Sequence, residues 1–313
     1  MKGVILAGGL GTRLFPLTKA TNKHLLPVYD HCMVHYAIDN LLRAGIGHIL
    51  VVTGGPHAGD FLRVLGTGKD LGVKHLEYAY QEGEGGIADA LSVAEDFAEG
   101  RPIMVVLGDN FTDADLGPAV RSFEAGAHLF LKQVGDPRDY GVAVLDEKDP
   151  SRVLAIEEKP EVPKSNYAVT GFYIYDPQCF EYVRRSEPSA RGELEITTVN
   201  NFYIQDGLMT WSELDGMWLD CGSFDGLFDA NRVVAEARRT GSDRFLPRHP
   251  RGSARSPRTQ PIHAHTRAEF RRMKWRRNSD RPDSETSGEL RDATSVCETR
   301  QCISGSHVPI PSR

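Results

Sequence analysis

The sequence contains few cysteines and no long hydrophobic segment. Its five cysteines form neither a CxxC pair nor the spacing of a zinc site. No apolar run reaches the roughly eighteen residues that a membrane-spanning helix needs, and no signal peptide is recognisable. We therefore expect a protein of the reducing cytoplasm that has no membrane partner.

Positive charge is scarce in the first 240 residues. Residues 1–240 carry a net charge of −13, whereas residues 241–313 carry +7. An acidic folded part argues against general nucleic-acid binding, which depends on neutralising phosphates. Residues 241–313 contain only nine Ile, Leu, Val or Phe residues and show no periodicity. We therefore expect a folded domain over 1–240 and a basic, disordered tail over 241–313.

The amino-terminal stretch combines a buried strand with a glycine-rich turn. Residues 2–6 are mainly apolar and lead into Gly8, Gly9 and Gly11, which are followed at once by Thr12 and Arg13. Successive backbone N–H groups in such a turn bind anions. Arg13 offers a fork of donors suited to phosphate, and Lys23 supplies a second cation. This pattern predicts a cradle for a polyphosphate.

Two other glycine loops do not match, and one simpler explanation stays open. A P-loop requires a Lys-Ser/Thr pair after its last glycine, and none follows Gly11. A dinucleotide fingerprint requires glycine where this chain has Leu14. Taken alone, the loop is also compatible with a tight turn that carries a surface arginine.

Strand-like and helix-like segments alternate after the cradle. This alternation predicts an α/β fold with a doubly wound, mainly parallel sheet. The expected strands are 48–52, 74–80, 103–107, 127–134, 142–145 and 153–157. The expected helices include 33–44, 60–65 and 87–97. A further helix is expected to begin near 192–197, with acidic residues in its first turn, and the last to run from Ser223 to about Arg239.

A carboxylate follows the most hydrophobic expected strand. Asp109 comes directly after the run 103–107 and Gly108. A carboxylate at that position is costly unless it is paired or binds a metal. Mg²⁺ often uses one or two carboxylates together with substrate phosphates, so we favour a metal ligand. The alternative is an Asp that caps the following helix.

The cradle resembles the signature of a known family. Its pattern G-x-G-T-R-x-x-P-x-T, followed by K-x-L-L-P, reads here as Gly9-Leu10-Gly11-Thr12-Arg13, Pro16, Thr18, Lys23 and Leu25-Leu26-Pro27. It is similar to that of the sugar-1-phosphate nucleotidylyltransferases, and the resemblance covers about residues 1–240. It implies a Rossmann-like nucleotidyltransferase domain with a small sugar-side subregion. It also implies Mg²⁺-dependent transfer of a nucleotidyl group from dTTP or UTP to glucose-1-phosphate.

The resemblance also assigns roles to individual residues. It implies catalytic roles for Arg13, Lys23 and Lys159, and metal binding by Asp109 and Asp220. It implies contacts with the nucleotide, including the base at Gln81 and Gly86, and contacts with the sugar. The nucleotide set is Leu6, Gly8, Gly9, Gly11, Thr12, Gln81 and Gly86, and the sugar set is Gly141, Glu158 and Val169.

Two of these sugar-side charges are adjacent, and Asp220 lies in a stretch flanked by glycine. Neighbouring side chains on a strand point to opposite faces, so Glu158 and Lys159 can serve one ligand only if their strand ends there. Pro160 favours that ending. Asp220, before Cys221-Gly222, is expected in a turn.

One residue departs from the family pattern, and two other functions remain as alternatives. Members specific for thymidine triphosphate carry Gln after the lysine, whereas this chain has His24. We therefore expect weaker discrimination between dTTP and UTP, unless His24 merely packs beside the loop.

The alternative functions for the whole protein are a catalytically inactive sugar-nucleotide sensor and a Rossmann oxidoreductase. The sequence leaves the oligomeric state open and is compatible with a homo-oligomer.

Overall fold

A computed structural model describes residues 1–242 and residue 245. These residues form thirteen strands: β1 (Lys2–Ala7), β2 (Pro27–Val28), β3 (His31–Cys32), β4 (His48–Gly54), β5 (His75–Gln81), β6 (Ile103–Leu107), β7 (Asn110–Thr112), β8 (Ala127–Gln133), β9 (Gly141–Leu145), β10 (Val153–Glu158), β11 (Tyr167–Tyr175), β12 (Met209–Glu213) and β13 (Trp218–Asp220).

The same residues form eight α-helices. They are α1 (Met33–Arg43), α2 (Ala58–Leu65), α3 (Ile87–Ser92), α4 (Glu95–Ala98), α5 (Gly117–Ser122), α6 (Gln178–Arg185), α7 (Ile196–Gln205) and α8 (Phe224–Thr240). None of the helices in this part of the chain is long and apolar enough to cross a membrane.

Nine strands form the main sheet. Seven follow the order β10-β9-β11-β6-β1-β4-β5, β8 pairs with β11, and β12 pairs with β8. The four strands β6, β1, β4 and β5 are parallel, which confirms the predicted α/β fold and its parallel centre. Beyond β6 the sheet becomes mixed, because β11 runs antiparallel to β6, β8 and β9.

Strand β1 lies at the centre because both of its faces are apolar. It pairs with β4 on one side and β6 on the other, and all six of its residues are buried. Val4 and Leu6 belong to one core cluster, which includes α3, whereas Ile5 and Ala7 belong to a second, which includes α1. Alternate side chains of one strand therefore reach two helical layers, as a doubly wound sheet requires.

Three expectations about local structure are wrong in detail. The expected helix over 87–97 is split into α3 and α4, and the backbone makes a tighter turn between them, where the Ala94 N–H donates to the carbonyl of Leu91, three residues earlier. The acidic residues expected inside a first helical turn precede α7, because Glu195 is extended and Leu194 bonds the backbone of residues 85 and 88. Asp220 is the last residue of β13, not part of a turn.

Helix α8 ends close to the predicted position. The Ser223 hydroxyl accepts from the Gly226 N–H at its start, and Gly241 adopts a left-handed conformation at its end. Phe245, inside the predicted tail, is buried with its ring 5.7 Å from that of Phe111. The rest of that tail, residues 243–244 and 246–313, lies outside the described residues.

Candidate active site

A cavity of about 420 Å³ opens at the carboxyl ends of the parallel strands β1, β5 and β6. Ligands of open α/β sheets bind at this edge. All residues with predicted site roles line this one cavity: Leu6, Gly8, Gly9, Gly11, Thr12, Arg13, Lys23, Gln81, Gly86, Asp109, Gly141, Glu158, Lys159, Val169 and Asp220. The fold thus brings together residues from seven separate segments, and their individual roles stay predictions.

The glycine loop after β1 forms one wall of the cavity. Gly11 has a φ of 63° and starts a 3₁₀ turn over Thr12–Leu14. A side chain at Gly11 would be strained, and its Cβ would lie 3.0 Å from atoms of both Thr18 and Lys23. The Thr18 hydroxyl donates to the Gly11 carbonyl at 2.8 Å and fixes the loop. The loop therefore has a defined shape before any ligand binds.

Lys23 and Asp109 form an ion pair on the floor of the cavity. Lys23 Nζ lies 2.5 Å from Asp109 Oδ2, and the other carboxylate oxygen accepts from the Asn110 side chain at 3.0 Å. Burial, the largest single effect, would raise the pKa of Asp109, but the opposing effects, led by the charge of Lys23 and including the hydrogen bonds from Lys23 and Asn110, together hold the pKa well below its usual range. Asp109 is therefore ionised.

Asp220 lies beside Asp109 and has the opposite shift. The two are brought together because Asp220 pairs with Asn110 across β13 and β7. Burial, and then the negative charge of Asp109, raise the pKa of Asp220 to about 6. The Gly222 N–H, which donates to Asp220 Oδ1 at 2.8 Å, opposes this shift. Two neighbouring carboxylates destabilise each other's negative charge, and a cation bound between them would relieve this repulsion.

Gly222 marks the point where three charged groups meet. A Cβ added there would lie 2.8 Å from Arg13 Nη2, 3.0 Å from Asp220 Oδ1 and 3.3 Å from Asp109 Oδ2. The described residues contain no cluster of three or more His, Cys, Asp or Glu side chains suited to a metal. A cation between the two aspartates would therefore take its other ligands from phosphate oxygens and water, as Mg²⁺ commonly does.

The residues predicted to contact the sugar also line the cavity. Strand β10 ends at Glu158, as predicted, and Lys159 has a φ of 45°, so their side chains are freed from strict strand alternation. Glu158 pairs with Gly141 across β10 and β9 and accepts from the Thr197 hydroxyl at 2.5 Å. Lys159 Nζ lies 3.8 Å from Glu158. The Glu158 carboxylate, a hydrogen-bond acceptor, and the Lys159 ammonium, a cation, thus lie next to each other.

Gln81 is the last residue of β5 and is only 4 % exposed, and Gly86 directly precedes α3. A Gln amide can both donate and accept hydrogen bonds. In the structure, Nε2 donates to the Gly86 carbonyl at 3.1 Å and to Asp89 Oδ2 at 2.7 Å. Both amide hydrogens are thereby used within the protein, and the oxygen remains for a ligand.

His24 is a packed residue at the edge of the cavity. It is 1 % exposed, and its backbone N–H and Nδ1 both lie within hydrogen-bond distance of Asn22 Oδ1, at 2.9 and 2.8 Å. A Cβ on Gly108 would lie 2.7 Å from its ring. Burial, and then the charge of Lys23, lower the pKa of His24 to about 3, so the ring is neutral. These contacts agree with the alternative in which His24 packs beside the loop.

Several residues that the sequence reasoning missed also contact the site. Asn110 orients Asp109 and accepts from Gly171 N–H and from Trp218 Nε1, at 3.0 and 2.7 Å. Arg191 Nη2 lies 3.5 Å from Glu158, and the buried Tyr173 lines the cavity. Asn110 directly follows Asp109, and that adjacency was the one signal available. The remaining contacts join residues far apart in the sequence.

A family model described as nucleotidyl transferase matches residues 2–237. The chain belongs to the nucleotidyl transferase family. Its curated relatives include glucose-1-phosphate thymidylyltransferases from Actinoplanes sp., 45 % identical over 76 % of this chain and 78 % of the relative, and from Neisseria meningitidis, 42 % identical over 75 % and 82 %. This nucleotidyl transferase is therefore similar over about three quarters of its length to proteins named glucose-1-phosphate thymidylyltransferase.

Solved structures agree with this assignment. A Bacillus anthracis protein assigned as a glucose-1-phosphate thymidylyltransferase superposes with a TM-score of 0.70 at 45 % identity, covering 74 % of this chain and 94 % of that one. A UDP-glucose pyrophosphorylase superposes with a TM-score of 0.68 at 24 % identity, covering 76 % and 99 %, and supports the fold alone. Family membership excludes the Rossmann oxidoreductase alternative.

Proposed function

We propose that this nucleotidyltransferase joins dTTP or UTP to glucose-1-phosphate, forming dTDP-glucose or UDP-glucose and releasing pyrophosphate. The observation that carries the proposal is the convergence of Arg13, Asp109 and Asp220 on one point beside the glycine loop. A triphosphate in that loop would place its charged oxygens there. The relatives named glucose-1-phosphate thymidylyltransferase support the choice of glucose-1-phosphate and thymidine triphosphate.

The nucleotide would occupy the wall formed by the glycine loop and the end of β5. Leu6, Gly8, Gly9, Gly11 and Thr12 would contact its phosphates and sugar, because they surround the anion-binding turn. The base would lie against Gln81 and Gly86. The glucose ring would occupy the part of the cavity that is lined by Gly141, Glu158 and Val169, where the Glu158 carboxylate would accept hydrogen bonds from its hydroxyl groups.

Asp109 and Asp220 are the residues that would hold Mg²⁺. The raised pKa of Asp220 fits this role, because burial beside Asp109 leaves its charge without sufficient compensation from the protein. When bound, Mg²⁺ supplies charge neutralisation at the triphosphate. The carboxylates and the Arg13 guanidinium would position it and the phosphates together.

The reaction needs positioning more than acid–base chemistry. A phosphate oxygen of glucose-1-phosphate attacks the α-phosphorus of the nucleotide, and the bond to the leaving pyrophosphate breaks. The nucleophile is already an anion, so no strong base is required. Lys159 would hold the attacking phosphate, Lys23 the α-phosphate, and Arg13 the pyrophosphate, each favouring the charge of the transition state.

Lys23 must change partners for this mechanism to operate. In the structure its ammonium is bound to Asp109 at 2.5 Å. A cation at Asp109 would compensate that carboxylate and release Lys23 toward the α-phosphate. The ion pair therefore keeps Asp109 ionised in the free enzyme and leaves a cation ready beside the site of transfer.

A catalytically inactive sensor on the same fold is not favoured by any observation here. A sensor needs only the residues that bind the ligand, whereas this chain keeps every charged residue assigned to nucleotidyl transfer, and all of them line the cavity.

The three cysteines in the described part, Cys32, Cys179 and Cys221, are free thiols, which supports the cytoplasmic location that we propose.

The direct test is a substrate matrix. Pyrophosphate release is measured for dTTP, UTP, CTP, ATP and GTP, each against several sugar-1-phosphates, with and without Mg²⁺. We expect turnover with a thymidine or uridine triphosphate and glucose-1-phosphate. Binding of the nucleotide sugar without turnover in any combination would favour the sensor instead.

A further inference from the structure

The Gln81 side chain is held in one orientation by two acceptors. Its Nε2 donates one hydrogen to the Gly86 carbonyl at 3.1 Å and the other to Asp89 Oδ2 at 2.7 Å. A primary amide has two N–H donors, so its donor capacity is fully used. Turning the amide over would place Oε1 against the two oxygens that now accept from Nε2. The alternative orientation is therefore disfavoured.

The opposite end of the amide faces the cavity. Gln81 Oε1 lies 2.6 Å from the position that a Cβ on Gly8 would take, and Gly8 and Gln81 both line the cavity. Within residues 1–242 and 245, no hydrogen-bond donor reaches Oε1. The Gln81 side chain thus presents only an acceptor to a ligand bound at this wall.

Asp89 is the charged member of the pair that holds this amide. It lies in the first turn of α3 and packs over the loop, where a Cβ on Gly85 would come within 2.5 Å of its Oδ2. Asp89 does not line the cavity and so acts through Gln81. An ionised carboxylate can only accept hydrogen bonds, which makes it selective for the N–H side of the amide.

We propose that Asp89 is a positioning residue for base selection. By fixing the Gln81 amide, it presents an acceptor to the N3–H of thymine or uracil. Cytosine carries a lone pair at N3, so two acceptors would face each other and cytosine nucleotides would be rejected. This inference rests on the proposed function, in which Gln81 contacts the base.

The test compares kcat/KM for UTP and CTP, which differ only along the base-pairing edge, in the wild type, Asp89→Ala and Asp89→Asn. Alanine removes one acceptor and lets the amide turn, so we expect the UTP:CTP ratio to fall roughly tenfold, the scale of one buried hydrogen-bond mismatch. Asparagine keeps an oxygen acceptor and should restore most of the ratio. Alanine favours helix, so α3 should persist, and a melting curve checks this.

Two internal controls separate selection from general damage. The dTTP:UTP ratio reports only the thymine methyl group and should not change in Asp89→Ala. In a Gln81→Ala background, adding Asp89→Ala should leave the UTP:CTP ratio where Gln81→Ala alone puts it, because Asp89 acts through Gln81.

The outcomes distinguish this inference from the proposed function. Equal losses of kcat/KM for UTP and CTP in Asp89→Ala would overturn the role of Asp89 while leaving the proposed function intact. An Asp89→Asn enzyme that resembles Asp89→Ala would do the same. A wild-type enzyme that releases no pyrophosphate from any nucleotide would overturn the proposed function and this inference with it.

Discussion

Replacing Gly222 with alanine should disable the site without unfolding the protein. Gly222 lies outside the left-handed region, so alanine can adopt its backbone conformation. The new methyl group would lie 2.8 Å from Arg13 Nη2, 3.0 Å from Asp220 Oδ1 and 3.3 Å from Asp109 Oδ2. Carbon and nitrogen atoms do not pack at 2.8 Å without a bond, so Arg13 must move.

The expected effect on activity is large and the effect on stability is small. The nearest atom is the end of a flexible, exposed arginine, which can swing away, so the free energy of unfolding should change by no more than about 1 kcal/mol. A displacement of about 1 Å at a catalytic contact costs roughly 10²-fold in rate. We therefore expect kcat to fall about 100-fold.

Gly59→Ala is the matched control. It adds the same methyl group to helix α2 at a position where nothing lies within 4 Å. It should leave pyrophosphate release unchanged and should not lower the Tm, because alanine favours helix more than glycine does. Steady-state kinetics and thermal melts of both variants form the assay. A Gly222→Ala enzyme with kcat within threefold of the wild type would refute the convergence of charges at this point.

Three further predictions concern the aspartates, the tail and His24. Asp109→Asn and Asp220→Asn should each remove most turnover. At pH 7.5 without metal, only Asp220→Asn should raise Tm, because the raised pKa of about 6 means that the Asp220 charge destabilises the folded state above pH 6 and has no such effect below the ordinary pKa of an Asp. Equal Tm shifts in the two variants would contradict this. Deleting residues 246–313 should leave activity and Tm nearly unchanged, whereas a deletion that also removes the buried Phe245 should lower Tm; an inactive shorter deletion would show the tail to be needed. His24→Gln should change the dTTP:UTP ratio only if His24 contacts the base, and an unchanged ratio would leave it a packing residue.

The local features of the cradle were predictable because they are local. The apolar run before Gly8 and the glycines up to Gly11 suffice for a strand and an anion-binding turn, and the carboxylate after β6 follows the same logic. The family resemblance supplied the pairing of Asp109 with Asp220. The structure adds the reason for it, the register between β7 and β13.

Features that depend on distant contacts were not predictable. Hydrophobic periodicity identifies strands but not their direction, so the antiparallel half of the sheet around β11 was not foreseen. Helical periodicity also did not reveal the break between α3 and α4. The contacts of Thr197 and Arg191 with Glu158 join residues more than thirty positions apart.

The central claim is that this cavity carries out Mg²⁺-dependent nucleotidyl transfer. The most direct measurement mixes the full chain with dTTP and glucose-1-phosphate and follows pyrophosphate and the nucleotide sugar together. The account predicts that both products form in equal amounts when Mg²⁺ is present and that neither forms in excess EDTA. Turnover that persists in EDTA, or pyrophosphate released without a nucleotide sugar, would contradict it.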